Sequence, residues 1–314
     1  MSALAALALL GAAPAAALPA PVEVTAPGPE GALAGTMLDP DPKAPLILII
    51  PGSGPTDRDG NSPMGVAGGP YRQLAEALAA DGIASVRVDK RGMFGSKAAL
   101  ADVNSSTTAG YADDVRAWSA AIRKRTGRQC IWVLGHSEGA LVALQAAQAP
   151  AGLCGGILLS GGGRPIGTVM REQLRANPAN APILDAALGV IDALEAGRRV
   201  DAATLPAPIQ PLFADKLQPY LIDLFSHDPT KLIAATRLPV LIVQGDRDLQ
   251  VSLADAEALK KAQPGATLTV LPGVNHVLRP VASDDRAANI ATYGDATLAI
   301  SPAVPAAVAG FVKK

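Results

Sequence analysis

Aromatic side chains are scarce in this 314-residue chain, with two Trp, four Tyr and four Phe amounting to 3% of the residues. Small aliphatic residues must therefore build the core, which suits closely packed helices and buried strands. Basic residues show no excess: 27 Lys and Arg stand against 28 Asp and Glu, for a formal net charge of -1. Without a basic patch or run there is no electrostatic footprint for nucleic acid, and that class is dropped. Only two cysteines are present, Cys130 and Cys154, and their spacing is not that of a metal site. After the N-terminal leader no segment is apolar for long enough to span a membrane. Histidine is scarce too: His136, His227 and His276 are the whole supply of imidazole.

Charge is also missing from the start of the chain. Met1 to Ala20 carries no ionisable side chain; the first acid is Glu23 and the first base Lys43. Ala3 to Leu10 reads as an apolar h-region, and Ala15-Ala16-Ala17 offers small residues for cleavage. Residues 1–20 are accordingly expected to be a cleaved export signal, placing the mature protein in the periplasm or outside the cell. The lack of Lys or Arg near Met1 departs from the usual signal, and a disordered Ala/Pro leader is the alternative. Pro14, Pro19 and the dominance of Ala argue against a stable membrane span. In an exported protein an even cysteine count suggests pairing. Each cysteine stands just before an apolar run, so neighbouring parallel strands would bring both to one end of a sheet; two small buried thiols are the other reading.

What is present is a regular alternation of elements. Val22–Thr25 and Leu33–Met37 flank a Pro/Gly-rich turn and read as a hairpin. Residues 45–50 form a continuous apolar run, the pattern of a strand covered on both faces. A helix with Tyr71, Leu74 and Leu78 on one face stops at Gly82, and a strand follows over 83–88. Tyr111, Val115, Trp118 and Ile122 mark a second helix, ended by Gly127. Strands are expected at 131–134 and 156–159 with a helix between them from Ser137. The alternation breaks after Gly163: residues 164–237 show only helical pieces, such as 183–194 and 213–225, broken by prolines. It resumes with a strand at 240–243, a helix from Ser252, a strand at 267–271 and a last helix opening at Ser301-Pro302. Such β-α-β-α order implies an α/β fold with a mostly parallel sheet flanked by helices. Residues 21–163 and 238–314 form its core, and 164–237 is read as an inserted helical cap.

The sharpest local signal is Gly135-His136-Ser137-Glu138-Gly139, which joins an apolar run to an Ala/Leu-rich helical stretch. A serine on a tight strand-to-helix turn stands clear of the backbone and faces incoming substrate. A serine hydroxyl is a poor nucleophile and needs an adjacent base oriented by a carboxylate. Acyl transfer further needs donors aimed at the developing oxyanion, worth roughly 3 kcal/mol each. The N–H of Glu138 is one candidate. The loop Pro51-Gly52-Ser53-Gly54-Pro55-Thr56-Asp57-Arg58-Asp59-Gly60-Asn61 supplies the other, Ser53 first and Gly54 next. It is not a phosphate loop, because no Gly-Lys-Ser/Thr follows.

Together with Asp89-Lys90-Arg91-Gly92-Met93-Phe94-Gly95-Ser96, these motifs resemble the α/β-hydrolase superfamily, over nearly the whole chain after the leader. The last stretch is similar to that family's Asp-x-Arg-Gly-x-Gly-x-Ser loop, with one position replaced or one residue of extra spacing; its Arg91 is read as pinning the loop. Within the superfamily the motifs look like those of bacterial exported esterase-like serine hydrolases. Ser137 separates the chain from relatives with an aspartate nucleophile. The resemblance implies the order Ser, acid, His along the chain. That order selects His276, in the loop after the last strand; His136 is left as packing beside the nucleophile, and His227 precedes the acid candidates. In Gln244-Gly245-Asp246-Arg247-Asp248 the family's Gly-x-x-Asp spacing favours Asp248, while Asp246 is a turn residue and remains the rival.

The expectation is thus a serine ester hydrolase for short- to medium-chain acyl esters, with Ser137, His276 and Asp248 as triad and Ser53 and Glu138 as oxyanion donors. It needs no metal or organic cofactor, and its partner is a small acyl substrate. Phe213, Tyr220 and Phe225 of the cap are expected to line an apolar acyl pocket. Aminopeptidase, thioesterase or lactonase chemistry on the same triad is the near alternative, with Asp185, Asp192, Glu195 or Asp201 binding a free amine. A catalytically dead binding module is the distant one. Oligomeric state is not legible.

Overall fold

The computed structural model describes residues 18–314, so all but the last three residues of the expected export signal lie outside the described part. Eight strands form one sheet: β1 (Val22–Pro27), β2 (Ala32–Leu38), β3 (Leu46–Ile50), β4 (Ala84–Val88), β5 (Ile131–His136), β6 (Leu153–Leu159), β7 (Val240–Gly245) and β8 (Thr267–Leu271). Their order across the sheet is β1-β2-β4-β3-β5-β6-β7-β8. β1 and β2 pair antiparallel, as does β2 with β4, and all later pairings are parallel. The central strands β3, β4 and β7 are buried at every residue, which is why they appear in the sequence as unbroken apolar runs. β1, at the edge, alternates instead.

Helices α1 (Pro70–Ala80), α2 (Thr108–Thr126), α3 (Glu138–Ala146), α8 (Leu253–Ala262) and α9 (Ala303–Val312) cover the two faces. Local chemistry sets their ends. Thr107 caps α2 by accepting from the Gly110 N–H, and Gly127 closes it with φ of 74°. Ser252 and Asp255 form a capping box on α8. On one face Leu74, Leu78, Val304 and Val308 pack against Ile47, Ile49 and Leu134. On the other, Trp118, Ile122, Leu144 and Leu259 pack against Leu48, Val133 and Ile242.

Between β6 and β7 the chain leaves the sheet through α4 (Ile166–Ala176), α5 (Leu184–Glu195), α6 (Gln218–Phe225) and α7 (Pro229–Ala235). The expected helix over 213–225 begins only at Gln218, and short turns precede it. α4 to α6 enclose their own apolar cluster of Ile191, Leu194, Ile209, Phe213, Leu224 and Phe225, which rests on Leu141 of α3. α7 returns to the sheet, where Ile233 joins the main core. Two polar clamps dock the excursion. Arg164 binds the buried Asp255 at 3.0 and 2.7 Å, and Asp223 of α6 accepts from both the N–H and the hydroxyl of Thr108 at 2.7 and 2.8 Å. No helix among the described residues is long and apolar enough to cross a membrane.

Cys130 and Cys154 are joined in a disulfide with Cα atoms 5.2 Å apart, the pairing made possible by neighbouring β5 and β6. The bridge closes a loop across a sequence separation of 24 and so restricts the unfolded chain. Replacing both cysteines by serine is expected to lower unfolding free energy by about 3 kcal/mol in denaturant titrations.

Candidate active site

β3 and β5 are neighbours in the sheet, and the chain leaves β3 towards β4 on one side and β5 towards β6 on the other, so the connections diverge between them. A crevice opens at the C-terminal ends of strands at such a reversal, and this is where an open α/β sheet receives ligands. Two of the candidate segments leave the sheet there, the loop after β3 and the elbow after β5.

At the elbow Ser137 has φ 54° and ψ -120°, a backbone conformation that side chains rarely adopt. The turn is held by the Ser137 N–H on the Leu159 carbonyl at 2.9 Å and the Ala140 N–H on the Ser137 carbonyl at 3.0 Å. Glycines are required on both sides. A Cβ on Gly135 would collide with the Gly139 carbonyl, and one on Gly139 would sit 2.6 Å from the Ile50 carbonyl oxygen. Ser137 occupies the N-cap position of α3, yet its side chain makes no capping hydrogen bond. The hydroxyl is left for other work, and the N–H of Glu138, first in α3, has no intrahelical partner.

His276 lies in the loop after β8, and its Nδ1 is 2.8 Å from Oδ2 of Asp248. Because a carboxylate accepts, Nδ1 carries the proton and Nε2 keeps its lone pair. Asp248 is fully buried, and its other oxygen accepts from the N–H groups of Gln250 and Val251 at 2.8 and 2.9 Å. Burial raises its pKa, but His276 and those two amides outweigh it and hold the carboxyl below the ordinary aspartate range. Asp246, the rival, accepts from the Gly273 N–H at 2.7 Å and so closes a turn away from the imidazole. The His276 loop is braced by the fully buried Arg279, which donates to the Ala67 carbonyl at 2.6 Å and to that of Asp295.

The remaining candidates meet over Ser137. A Cβ on Gly52 would lie 3.2 Å from that of Ser137, so the loop after β3 passes directly across the elbow. Ser53 donates its hydroxyl to Glu138 Oε2 at 2.9 Å. A directional chain of bonds links this loop to the His276 loop. His136 Nε2 lies 2.8 Å from the His276 carbonyl, which can only accept, so Nε2 bears the proton. Nδ1 must then accept from the Tyr71 hydroxyl at 2.8 Å, and the Tyr71 oxygen in turn accepts from the Gly52 N–H at 3.3 Å. His136, read from sequence as mere packing, thus ties the His276 loop to the Gly52 loop. The signal that could have shown it was the pairing of a buried tyrosine with a buried histidine, which a sequence does not display.

Two cavities converge on Ser137. One, of about 350 Å³, is lined by Ser53, Thr56, Tyr71, His136, Ser137, His276 and Tyr293. The other, of about 430 Å³, lies under the cap and is lined mainly by Leu141, Ile166, Val169, Met170, Leu221 and Leu224. Ser53 and Ser137 border both; Glu138 borders the second. Of the three cap aromatics expected here only Tyr220 lines the cavity. Phe213 and Phe225 are spent on the cap's own core, because an insertion this small needs its largest apolar groups to hold itself together. His227 borders the cap-side cavity but its Nε2 lies 2.8 Å from the Thr108 hydroxyl. Among the described residues no three His, Cys, Asp or Glu side chains are grouped to hold a metal ion.

The Asp89-Lys90-Arg91 stretch braces all of this. Asp89 accepts from the N–H and Nε of Arg58 at 2.8 and 2.9 Å, fixing the loop after β3. Arg91 makes two bonds to Asp114 of α2 at 2.7 and 2.6 Å, so it pins the loop as expected. Phe94 has φ 44° and stands where the similar motif has glycine, so a position is replaced rather than a residue inserted.

An open, mostly parallel sheet with a strained serine elbow after its fifth strand and a His–Asp pair at its carboxyl edge is the architecture of the α/β-hydrolase fold. The sequence profile of the alpha/beta hydrolase family matches residues 46–291, and the chain belongs to that family. It is 25% identical to esterase EstD of Thermotoga maritima over 243 residues, which are 74% of this chain and 54% of that protein. The chain thus matches only about half the length of that relative. Its fold is similar to that of the esterase Est1E from Butyrivibrio proteoclasticus, solved with ferulic acid bound, at a TM-score of 0.56 and 20% identity, covering 90% of this chain and 96% of that one. It is similar also to the Pyrococcus furiosus esterase Pf2001, at a TM-score of 0.53 and 18% identity, covering 82% and 83%.

Burial, with the neighbouring His276 imidazole second, pushes the His136 pKa down from 6.5 to about 3, so it stays neutral in the fold. Below pH 6.5 the unfolded chain binds this proton and the folded one does not, so stability falls as pH drops from 6.5 towards 3. From this group alone, unfolding at pH 5 should be easier than at pH 6.5 by about 2 kcal/mol. His136→Gln should flatten that part of a stability-versus-pH curve measured by urea denaturation; an unchanged slope would assign it to other groups.

Proposed function

We propose that the protein is a serine ester hydrolase that works through an acyl-enzyme on Ser137. The observation that carries the reading is the strained, uncapped Ser137 opening into the same cavity as His276, whose Nδ1 lies 2.8 Å from buried Asp248. Ser137 attacks the ester carbonyl while His276 Nε2 takes its proton, and the N–H groups of Ser53 and Glu138 receive the charge that develops on oxygen. His276 then protonates the leaving alcohol and activates water to release the acid. Asp248 holds the imidazole in the right tautomer and stabilises its cationic form. The esterase names of EstD, Est1E and Pf2001 support the reaction class.

Two cavities meeting at one serine suit the two sides of an ester. The apolar space under the cap fits a short or medium acyl chain, and the space beside Tyr71 and Tyr293 fits the alcohol. Peptidase chemistry finds less support. Asp192 and Glu195, which could bind a free amine, are both held by Arg171, and Asp201 caps its own turn. None of these borders the cavity, and neither does Asp185. Thioester and lactone substrates would use the same groups and are separated from simple esters by a substrate panel. The disulfide and the uncharged leader support a further part of the proposal, that the protein acts in an exported, oxidising compartment.

Ser137→Ala should abolish both fluorophosphonate labelling and hydrolysis of short p-nitrophenyl esters, and survival of either would reject the assignment. Asp248→Asn should reduce kcat by roughly 10⁴-fold while binding is kept, as expected when the imidazole loses its orienting acceptor. Asp246→Asn should change kcat little in the same assay.

A further inference from the structure

Lys90 is a lysine in an unusual place. It is 6% exposed, and its ammonium donates to the Gly52 carbonyl at 2.7 Å. The same ammonium lies 3.9 Å from Glu138 Oε1 and 5.7 Å from the centre of the Tyr111 ring. Burial pushes its pKa down, and the Glu138 carboxylate opposes the fall. Its position follows from strand register: β3 and β4 run parallel with Ile49 beside Arg87, so three residues further on Lys90 stands level with Gly52. Burying an ammonium is costly even after relaxation, and here it faces two acceptors, the Gly52 carbonyl and the equally buried Glu138 carboxylate.

The Gly52 carbonyl and the Ser53 N–H belong to one peptide unit, which is trans like every other described peptide bond. In a planar trans unit the C=O and N–H point in opposite directions. Lys90 borders a small separate cavity together with Pro51, Tyr111 and Glu138, and does not border either cavity at Ser137. A carbonyl drawn towards Lys90 therefore turns the Ser53 N–H the other way, towards the space that Ser53 shares with Ser137. The Tyr71 oxygen holds the N–H of Gly52 as well, so both ends of that residue are tied. A donor to the carbonyl also polarises the peptide and strengthens its N–H as a donor.

We propose that Lys90 is a positioning residue of the oxyanion hole: its bond to the Gly52 carbonyl sets the Ser53 N–H in line with the developing oxyanion. The proposal rests on Ser137 being the nucleophile. The Ser137→Ala test decides that separately, since activity left in that variant removes the parent reading whatever Lys90 does.

The test is steady-state kinetics on a short p-nitrophenyl ester and its thionoester, whose sulfur is a poor hydrogen-bond acceptor and gains little from a well-aimed N–H. Lys90→Met should lower kcat on the oxygen ester at least tenfold with KM within about twofold, since a single oxyanion donor is worth 10²–10³ in kcat. On the thionoester its loss should be several times smaller. Lys90→Gln, which keeps a donor on a side chain one atom shorter, should fall between wild type and Lys90→Met. In the double variant Lys90→Met/Glu138→Gln the stranded carboxylate is neutralised, and kcat should stay low. A folded Lys90→Met with near-normal kcat, an equal loss on both substrates, or full recovery in the double variant would each overturn the proposal. If Lys90→Met does not fold, Lys90→Gln carries the same comparison, with a loss confined to the oxygen ester expected and a uniform or absent loss overturning it.

Discussion

At Ser137 the chain turns from strand to helix within one residue, and the turn closes only because Gly135 and Gly139 have no side chains. The backbone there is strained, of the order of 1–3 kcal/mol for such a conformation, and it persists because the structure around it leaves no alternative. β5 and β6 fix the strand side through the Ser137 amide on Leu159, and the buried face of α3 fixes the helix side. Everything else at the site is placed relative to this turn. The loop after β3 lies across it, α3 offers the free amide of Glu138 beside it, and the His276 loop reaches the same cavity from the far edge of the sheet.

Around the elbow, polar groups are spent on holding loops rather than on solvent. Asp89, Lys90 and Arg91 are consecutive, and they bind three different segments: Arg58 of the donor loop, the Gly52 carbonyl, and Asp114 of α2. Tyr71 and His136 carry a second line from the Gly52 amide to the His276 carbonyl. Buried polar groups of this kind are costly unless each is satisfied, and once satisfied they fix geometry more firmly than apolar packing does. A site that must hold donors within a fraction of an ångström of a developing charge gains directly from such bracing.

The cap follows a different logic. Its own cluster around Ile191, Phe213 and Phe225 makes it self-supporting, while Arg164 and Asp223 clamp its two ends to the core. Leu224 of that cluster, with Ile166, Met170 and Leu221 packed against it, forms the lining above Ser137, and Leu141 of α3 joins them from the core. The shape of the space above the elbow is therefore set jointly by the cap and by the helix that follows Ser137.

Much of the fold was legible in the chain, because buried parallel strands read as apolar runs and glycines mark where helices stop. The elbow was equally plain, because Gly135 is demanded by local backbone geometry, which a short motif encodes, although Gly139 makes room for the distant Ile50 carbonyl. Order along the chain picked out His276, and spacing favoured Asp248. The structure then placed Asp248 on the imidazole and Asp246 on the Gly273 turn. The roles of Lys90, Tyr71 and His136 were not legible, since each depends on a partner brought near by strand register or helix docking. Nor was the fate of Phe213 and Phe225, because a buried aromatic looks the same in sequence whether it lines a cavity or fills a core. The cysteines stayed undecided for the same reason: their pairing needed β5 beside β6, and adjacency of strands is a property of the assembled sheet. The sequence alone determined the elements and the serine turn, which rest mainly on neighbours in the chain. Only the tertiary structure decided which distant polar groups meet, because hydrogen bonds at 3 Å depend on the position of whole elements.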